Sequence, residues 1–254
     1  MRILRRRSQE SNSEESYWIS FTDLMTSLLF IFILAVMALM LQLTQQQSAL
    51  ADQQTKFSEQ VSTLQTAEVV RAQMLEEIQK ELKAAGIEVL VTENNSVLSI
   101  PSALLGFDAA SYEIEKSYEK VSLAIGQAIS RAIYKDDRLQ YLDTVFVEGH
   151  TDNVDFDGLE GTGNWGLSTF RAISLWNLWD EKLPKNARLD SMLNVENRPL
   201  FSVSGYGQTR PVTESQDNEK QLAANRRIDI RFTITRPDSA DLLDIEKSIQ
   251  ESNS

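Results

Sequence analysis

The feature that most limits what this chain can fold into is the run Ile19–Leu43, ISFTDLMTSLLFIFILAVMALMLQL. It is apolar apart from a polar cluster near its start, and its second half has no polar face. At about 1.5 Å rise per residue, about 20 residues cross a hydrocarbon core, so the run is long enough to span a bilayer. A core helix of this length would show a polar stripe. A cleaved signal peptide has an apolar core of only about 7–15 residues and a small-residue cleavage site after it. Here the run is longer and Thr44-Gln45-Gln46-Gln47 follows it, so we read residues 18–43 as a transmembrane helix.

The flanks predict its orientation. Arg2, Arg5, Arg6 and Arg7 precede the span, and the next Lys or Arg is Lys56. Positive charge stays on the cytoplasmic side. Residues 1–17 are therefore expected in the cytoplasm and everything after Leu43 outside, in a bacterial periplasm. Tyr17 and Trp18 fit an interfacial aromatic belt.

One carboxylate, Asp23, lies inside the span, with Thr22, Thr26 and Ser27 around it. Thr26 and Ser27 follow Asp23 by three and four residues and share its helical face. A charge within the bilayer costs about 2.5–3.5 kcal/mol on insertion scales and tends to mark an ion or proton pathway. A single carboxylate on a polar stripe suits a site that takes up and releases H⁺ or Na⁺. The stripe must face protein or water, which implies a membrane partner. The alternative places Asp23 at the cytoplasmic interface, simply solvated, because it lies just over one turn inside Trp18.

From Thr44 to Ala85 the chain is rich in Gln, Glu, Ala and Leu and has no Gly or Pro. That composition favours a helix continuing out of the membrane. Leu43, Leu50, Phe57 and Leu64 recur at heptad spacing, and Leu75, Ile78 and Leu82 follow in steps of three and four. Two readings fit: a short parallel coiled coil making a homodimer, or a lone amphipathic helix lying on the C-terminal domain.

Residues 86–237 alternate strand and helix patterns. Strands are predicted at 87–91 and 97–100 around the turn Glu93-Asn94-Asn95-Ser96, then at 144–148, 201–204 and 228–235. Helices are predicted at 111–133 and 164–182, the first with Ile114, Tyr118, Val121, Ile125 and Ile129 on one face. Strand pairs crossed by helices make an α+β domain, an α/β sandwich. The tail 238–254 is acidic and reads as a short helix with a frayed end.

Composition removes several functions. The chain has 254 residues, a net charge of −12 and a pI near 4.7, which argues against nucleic-acid binding. There is no cysteine, so disulfides and thiolate metal sites are excluded. His150 is the single histidine, which rules out a multi-histidine metal centre. No serine–acid pattern accompanies it, and no enzyme activity or cofactor is expected. The run Asn153-Val154-Asp155-Phe156-Asp157-Gly158 opens like a calcium loop, but Asn164 stands where the closing Glu would be. Gly158, Gly161 and Gly163 make this loop flexible enough to gate a site, but no Gly-Lys-Ser/Thr follows to make it a phosphate loop.

Four blocks occur in order: VEGHTDNV at 147–154, NWGLSTFRA at 164–172, SGYGQTRPV at 204–212 and NRRIDIRF at 225–232. Together they resemble the signature of the OmpA-like peptidoglycan-binding domain. YWISFTDLMTSLLFIF at 17–32 resembles the carboxylate-bearing helix of MotB-type stator subunits and of the related ZorB subunits of Zorya anti-phage systems. The resemblance implies binding of diaminopimelate in the peptidoglycan stem, chiefly through Asp152 and Arg171. A guanidinium offers a bidentate fork to a carboxylate. The aspartate beside it accepts from the ligand ammonium. Asn164, Leu167 and Arg171 fall on one helix face. Thr151 and Asn153 flank the site, Asp108 matches a weaker position, and Arg226 and Arg227 open the last strand, where either can pair with Asp152. The bland alternative is that Asp152 and Arg171 only brace the loop as an internal ion pair. The resemblance further implies a MotA- or ZorA-like polytopic membrane partner, around which Asp23 passes H⁺ or Na⁺. The absence of a Pro- or Gly-containing linker favours the ZorB-like setting over a flagellar stator, and a passive membrane-to-wall tether is the rival from another class.

Overall fold

A computed structural model describes residues 7–107, 111–158 and 160–236, with side chains from Tyr17 onward. Asp108, the acidic tail, and Arg2, Arg5 and Arg6 lie outside the described residues. The chain divides into two compact units between residues 59 and 60.

Helix α1, Arg7–Ala84, begins in the first unit. Its apolar stretch is long enough to cross a membrane, and it is the one helix among the described residues that is. Leu43, Leu50 and Phe57 are exposed on it.

The second unit is an α+β domain. Strands β1 (Leu90–Thr92), β2 (Val97–Pro101), β3 (Leu142–His150), β4 (Phe201–Gly205) and β5 (Arg227–Ile234) form one mixed sheet in the order β1-β2-β5-β3-β4. β3 and β4 are parallel, joined through α3 (Gly163–Lys182), and the other pairings are antiparallel. Helices α2 (Glu119–Tyr134) and α4 (Glu219–Asn225) complete it.

Side chains alternate across the sheet. Ile228, Ile230 and Phe232 of β5, with Val145 and Val147 of β3 and Leu98 and Ile100 of β2, enter the apolar core with α2 and α3. Arg227, Asp229 and Arg231 take the opposite face. The antiparallel register sets Glu148 against Asp229 and His150 against Arg227.

The core reaches upstream of residue 86, where the sequence pattern suggested the domain begins. Met74, Leu75, Ile78 and Leu82 of α1 are buried in it. The three- and four-residue steps of these residues therefore mark an amphipathic face packed on the domain. Ion pairs fix the same segment from outside. Glu77 accepts from Arg138 Nη2 at 2.8 Å and from Lys135 Nζ at 3.0 Å, and Glu81 pairs with Arg131. The hydrogen bond from Arg138, helped by Lys135, lowers the Glu77 carboxyl to about 2.

Two other boundaries differ from the pattern. The helix expected from Ser111 begins at Glu119, with Tyr118 at the N-cap position, so Ile114 lies ahead of it. Ile87 and Val89 are buried without entering the ladder, and β1 starts at Leu90.

Ile78→Ala is expected to destabilise the second unit by about 2–5 kcal/mol, as for a buried aliphatic side chain. Phe57→Ala, at an exposed position of the first unit, should leave that transition unchanged. Denaturant unfolding of the detergent-solubilised protein measures both, and equal effects would contradict this packing. Glu77 gives a pH signature. Its folded value is below the ordinary 4.5, so its stabilisation is present above 4.5 and is lost as pH falls toward about 2. The melting temperature of Glu77→Gln should lie below wild type at neutral pH and converge with it in strong acid.

Candidate functional site

In the first unit, Asp23 and its neighbours are exposed on α1 in the single chain. Thr22 Oγ1 donates to the Trp18 carbonyl at 2.8 Å, and Thr26 Oγ1 to the Thr22 carbonyl at 2.7 Å. Both hydroxyl protons are thus committed to the helix backbone. Asp23 and Ser27, one turn apart, remain the groups of this stripe that project polar atoms outward.

In the second unit, a polar site forms where β3 ends against the start of α3. Glycine permits the approach. A Cβ on Gly149 would lie inside contact distance of the Ser168 carbonyl, and one on Gly205 would meet Thr169. The chain around this junction is stitched by main-chain and side-chain bonds. Tyr206 N–H donates to the Gly149 carbonyl and Thr151 N–H to the Gly207 carbonyl, each at 2.9 Å. Gly207 N–H donates to Ser168 Oγ at 2.9 Å. Gly207 adopts a φ of +54°, a left-handed conformation that glycine takes without strain.

Thr151, Asp152, Asn164 and Arg171 all come to this junction and all are buried. Asp152, 7 % exposed, accepts Val154 N–H at 3.2 Å on one oxygen and Arg226 Nη1 at 2.7 Å on the other. Asn164 Nδ2 donates to the Val154 carbonyl at 2.9 Å, and Asn153 N–H donates to Gln216 Oε1 at 2.9 Å. These bonds fix the loop after β3 from both sides. Thr151 Oγ1 and Asn164 Oδ1 are buried without a hydrogen-bond partner among the described residues.

Arg171, 1 % exposed, donates Nε–H to the Ser111 carbonyl at 2.8 Å and lies over the Phe107 ring at 5.4 Å. Burial lowers its pKa to about 10, against the opposing pull of Asp152, while Arg226 adds to the lowering. It stays cationic at neutral pH, and its desolvation strengthens any contact with an anion. The guanidinium in contact with the Asp152 carboxylate is that of Arg226, so the internal Asp152–Arg171 brace considered above is not the arrangement found.

One expectation needs correction. Arg227 does not reach Asp152. It faces the other side of the sheet, where Nε donates to Asp229 at 2.9 Å, and the strand's alternation explains the parity. Leu167, 2 % exposed, is buried on α3 like Asn164 and Arg171 and brings only apolar atoms to the junction. Trp165 is 53 % exposed beside the site, whereas Trp179 is in the core and Trp176 stacks on Phe201. The sequence reading assigned Arg227 to the site, and the fold puts its neighbour Arg226 there instead.

Behind the site lies a buried charged layer. His150 stacks on Tyr206 at 5.4 Å, with Nε2 at 3.2 Å from Asp229 Oδ2. Burial pushes the Asp229 carboxyl up, but His150 and Arg227 outweigh it and hold it below the usual range. Glu148 accepts from Arg231 Nε at 2.9 and 3.0 Å and from the Tyr206 hydroxyl at 3.2 Å. Ligand atoms of Glu148, His150 and Asp229 lie within 4.8 Å of one another, a spread that a metal could draw together. Arg231 and Arg227 already neutralise both carboxylates, so the cluster is a charge-paired network.

No family model matches the chain. Motility protein B of Bacillus subtilis (strain 168) is 28 % identical over 163 residues, covering 64 % of this chain and 54 % of that protein. The chain thus spans about half the length of that relative. Uncharacterized protein YtxE of the same organism is 26 % identical over 241 residues, covering 87 % of this chain and 90 % of that protein. Among solved structures, a putative MotB-like protein from Desulfovibrio vulgaris matches with a TM-score of 0.50 at 15 % identity, covering 68 % of this chain and 99 % of that one. The second unit therefore has the fold of a MotB-like protein, and 64 % of the chain is similar in sequence to a bacterial motility protein.

Proposed function

We propose that this chain is the peptidoglycan-anchored, ion-conducting subunit of an ion-driven membrane motor, and that it works without catalysing a reaction. The observation that carries this reading is the gathering of Thr151, Asp152, Asn164 and Arg171 at one junction, in a chain whose apolar run 19–43 holds a single carboxylate, Asp23. Arg171 takes a carboxylate of the peptide stem as a planar fork. Asp152 takes the ammonium of the same diaminopimelate residue. Thr151 and Asn164 supply hydrogen bonds from their unpaired oxygens.

The helix spans the inner membrane once, with the arginine-rich start in the cytoplasm and the second unit in the periplasm. Two copies sit inside a ring of a polytopic, MotA- or ZorA-like partner. H⁺ or Na⁺ passes along the interface by way of Asp23, with Ser27 one turn away. Each elementary charge crossing the membrane releases about 2.3 kcal/mol per 100 mV. Held by the wall, this subunit stays still while the ring moves.

The setting we favour is a Zorya-type anti-phage system, supported by the unbroken helix from Thr44 to Ala84. Motility is the second reading, favoured by the similarity to motility protein B.

Two measurements test the proposal. Asp23→Asn should abolish phage protection in cells carrying the native gene cluster, at unchanged protein level. Protection that survives the change would reduce the span to an anchor, and swimming assays on the same strains separate defence from motility. Arg171→Ala or Asp152→Ala should lower retention on purified sacculi by roughly ten- to hundredfold, the worth of one charge-assisted hydrogen-bonded contact. Undiminished retention by both would remove wall binding from this site.

A further inference from the structure

Two consecutive residues ahead of α2 meet two consecutive residues of α3. The Ser111 carbonyl accepts Arg171 Nε–H at 2.8 Å. The Tyr112 ring packs on the Phe170 ring with 5.4 Å between centroids and a tilt of 40°. Just upstream, the Phe107 ring lies 5.4 Å from the guanidinium carbon of Arg171. Phe107 belongs to the core, whereas Phe170 is 39 % exposed.

These contacts bear on how the arginine is presented. Arg171 is 1 % exposed, so protein groups rather than water set the direction of its side chain. A guanidinium recognises a carboxylate through a planar fork, and that fork is useful only if its plane is fixed. The Nε–H bond lies in that plane, so an acceptor placed on Nε sets it. The acceptor here comes from outside the regular elements. Ser111 precedes α2, which starts at Glu119, and its hydroxyl accepts Glu113 N–H at 3.1 Å within the same short segment. The neighbouring ring, seated on Phe170, ties this carbonyl to the helix that carries Arg171. An aromatic pair does so at low entropic cost, because each ring has only two side-chain torsions.

We propose that Tyr112 is a positioning residue of the wall site: its ring, packed on Phe170, holds the Ser111 carbonyl on Arg171 Nε and so sets the plane of the guanidinium before a ligand arrives. The inference rests on the wall-binding reading given above. Tyr112 touches no ligand in this scheme and acts through Arg171. The ring carries the effect, and the hydroxyl is not needed for it.

The test is a double-mutant cycle read by retention of the full-length, detergent-solubilised protein on purified diaminopimelate-containing sacculi. Tyr112→Ala should lower retention by roughly three- to tenfold, the worth of one aromatic pair, and Tyr112→Phe should restore it. Arg171→Lys keeps the charge but has no planar fork to orient. In the Arg171→Lys background, Tyr112→Ala should therefore change retention by less than about twofold. An equal loss in both backgrounds, or no loss in either, overturns the proposal. Thermal melting of each variant separates a folding defect from a binding one. A second measurement needs no ligand: NMR-detected hydrogen exchange of Arg171 Nε–H in the same protein. Tyr112→Ala should speed it by about tenfold or more, and Tyr112→Phe should not. An unchanged exchange rate in Tyr112→Ala overturns the proposal. If wild type is not retained on sacculi at all, the wall reading fails, and the exchange rates still decide whether Tyr112 positions Arg171.

Discussion

Helix α3 meets β3 and β4 at two positions where no side chain fits, Gly149 against Ser168 and Gly205 against Thr169. Everything at the candidate site depends on that approach. Asn164 and Arg171 are carried by the helix, while Thr151 and Asp152 leave the end of the strand. With a methyl group between them, the helix would have to lift from the sheet. Ser168 Oγ could then no longer accept Gly207 N–H, and the turn that receives Thr151 N–H would lose its seat. The parallel pairing of β3 and β4 belongs to the same constraint, because a parallel pair needs a crossover and α3 is that crossover.

The face of the sheet away from the helices is organised by charge. Arg231 joins Glu148 on β3 to Glu93 in the turn between β1 and β2, and both carboxylates push its pKa up. Arg227 and His150 flank Asp229 one layer along. Burying such groups costs several kcal/mol per ion, and close partners offset it. Losing one partner leaves a bare charge where hydration is unavailable. This layer therefore tolerates little change, although it touches no part of the ligand scheme. Arg210, stacked 3.6 Å over Tyr206, extends it to the surface.

The long apolar helix and the order of strands and helices were legible in sequence because each has a strong local signature, while the Thr-Asp loop and the arginine on the following helix were singled out by the family resemblance. What escaped needed tertiary information. Leu75, Ile78 and Leu82 have the same spacing whether they face a second helix or a sheet, and only the sheet's position decides. Arg226 and Arg227 are neighbours of one chemistry, yet the ladder begins between them, and β alternation sends Arg227 to the charged layer. The 111–118 stretch carries apolar residues at helical intervals and still stays outside α2, whose first turn starts at Glu119.

The strand order has a consequence in time. β5 lies at the middle of the sheet, between β2 and β3, and it is the last strand in chain order among the described residues. Residues 97–101 wait for partners at 227–231. Until those are made, the earlier strands form two unjoined pieces, and Ile228, Ile230 and Phe232 are missing from the core. Pairings so distant along the chain close slowly. Asp152 also lacks its guanidinium until residue 226 arrives. A chain that stops short of residue 227 therefore lacks both the strand that joins the two halves of the sheet and the guanidinium that meets Asp152.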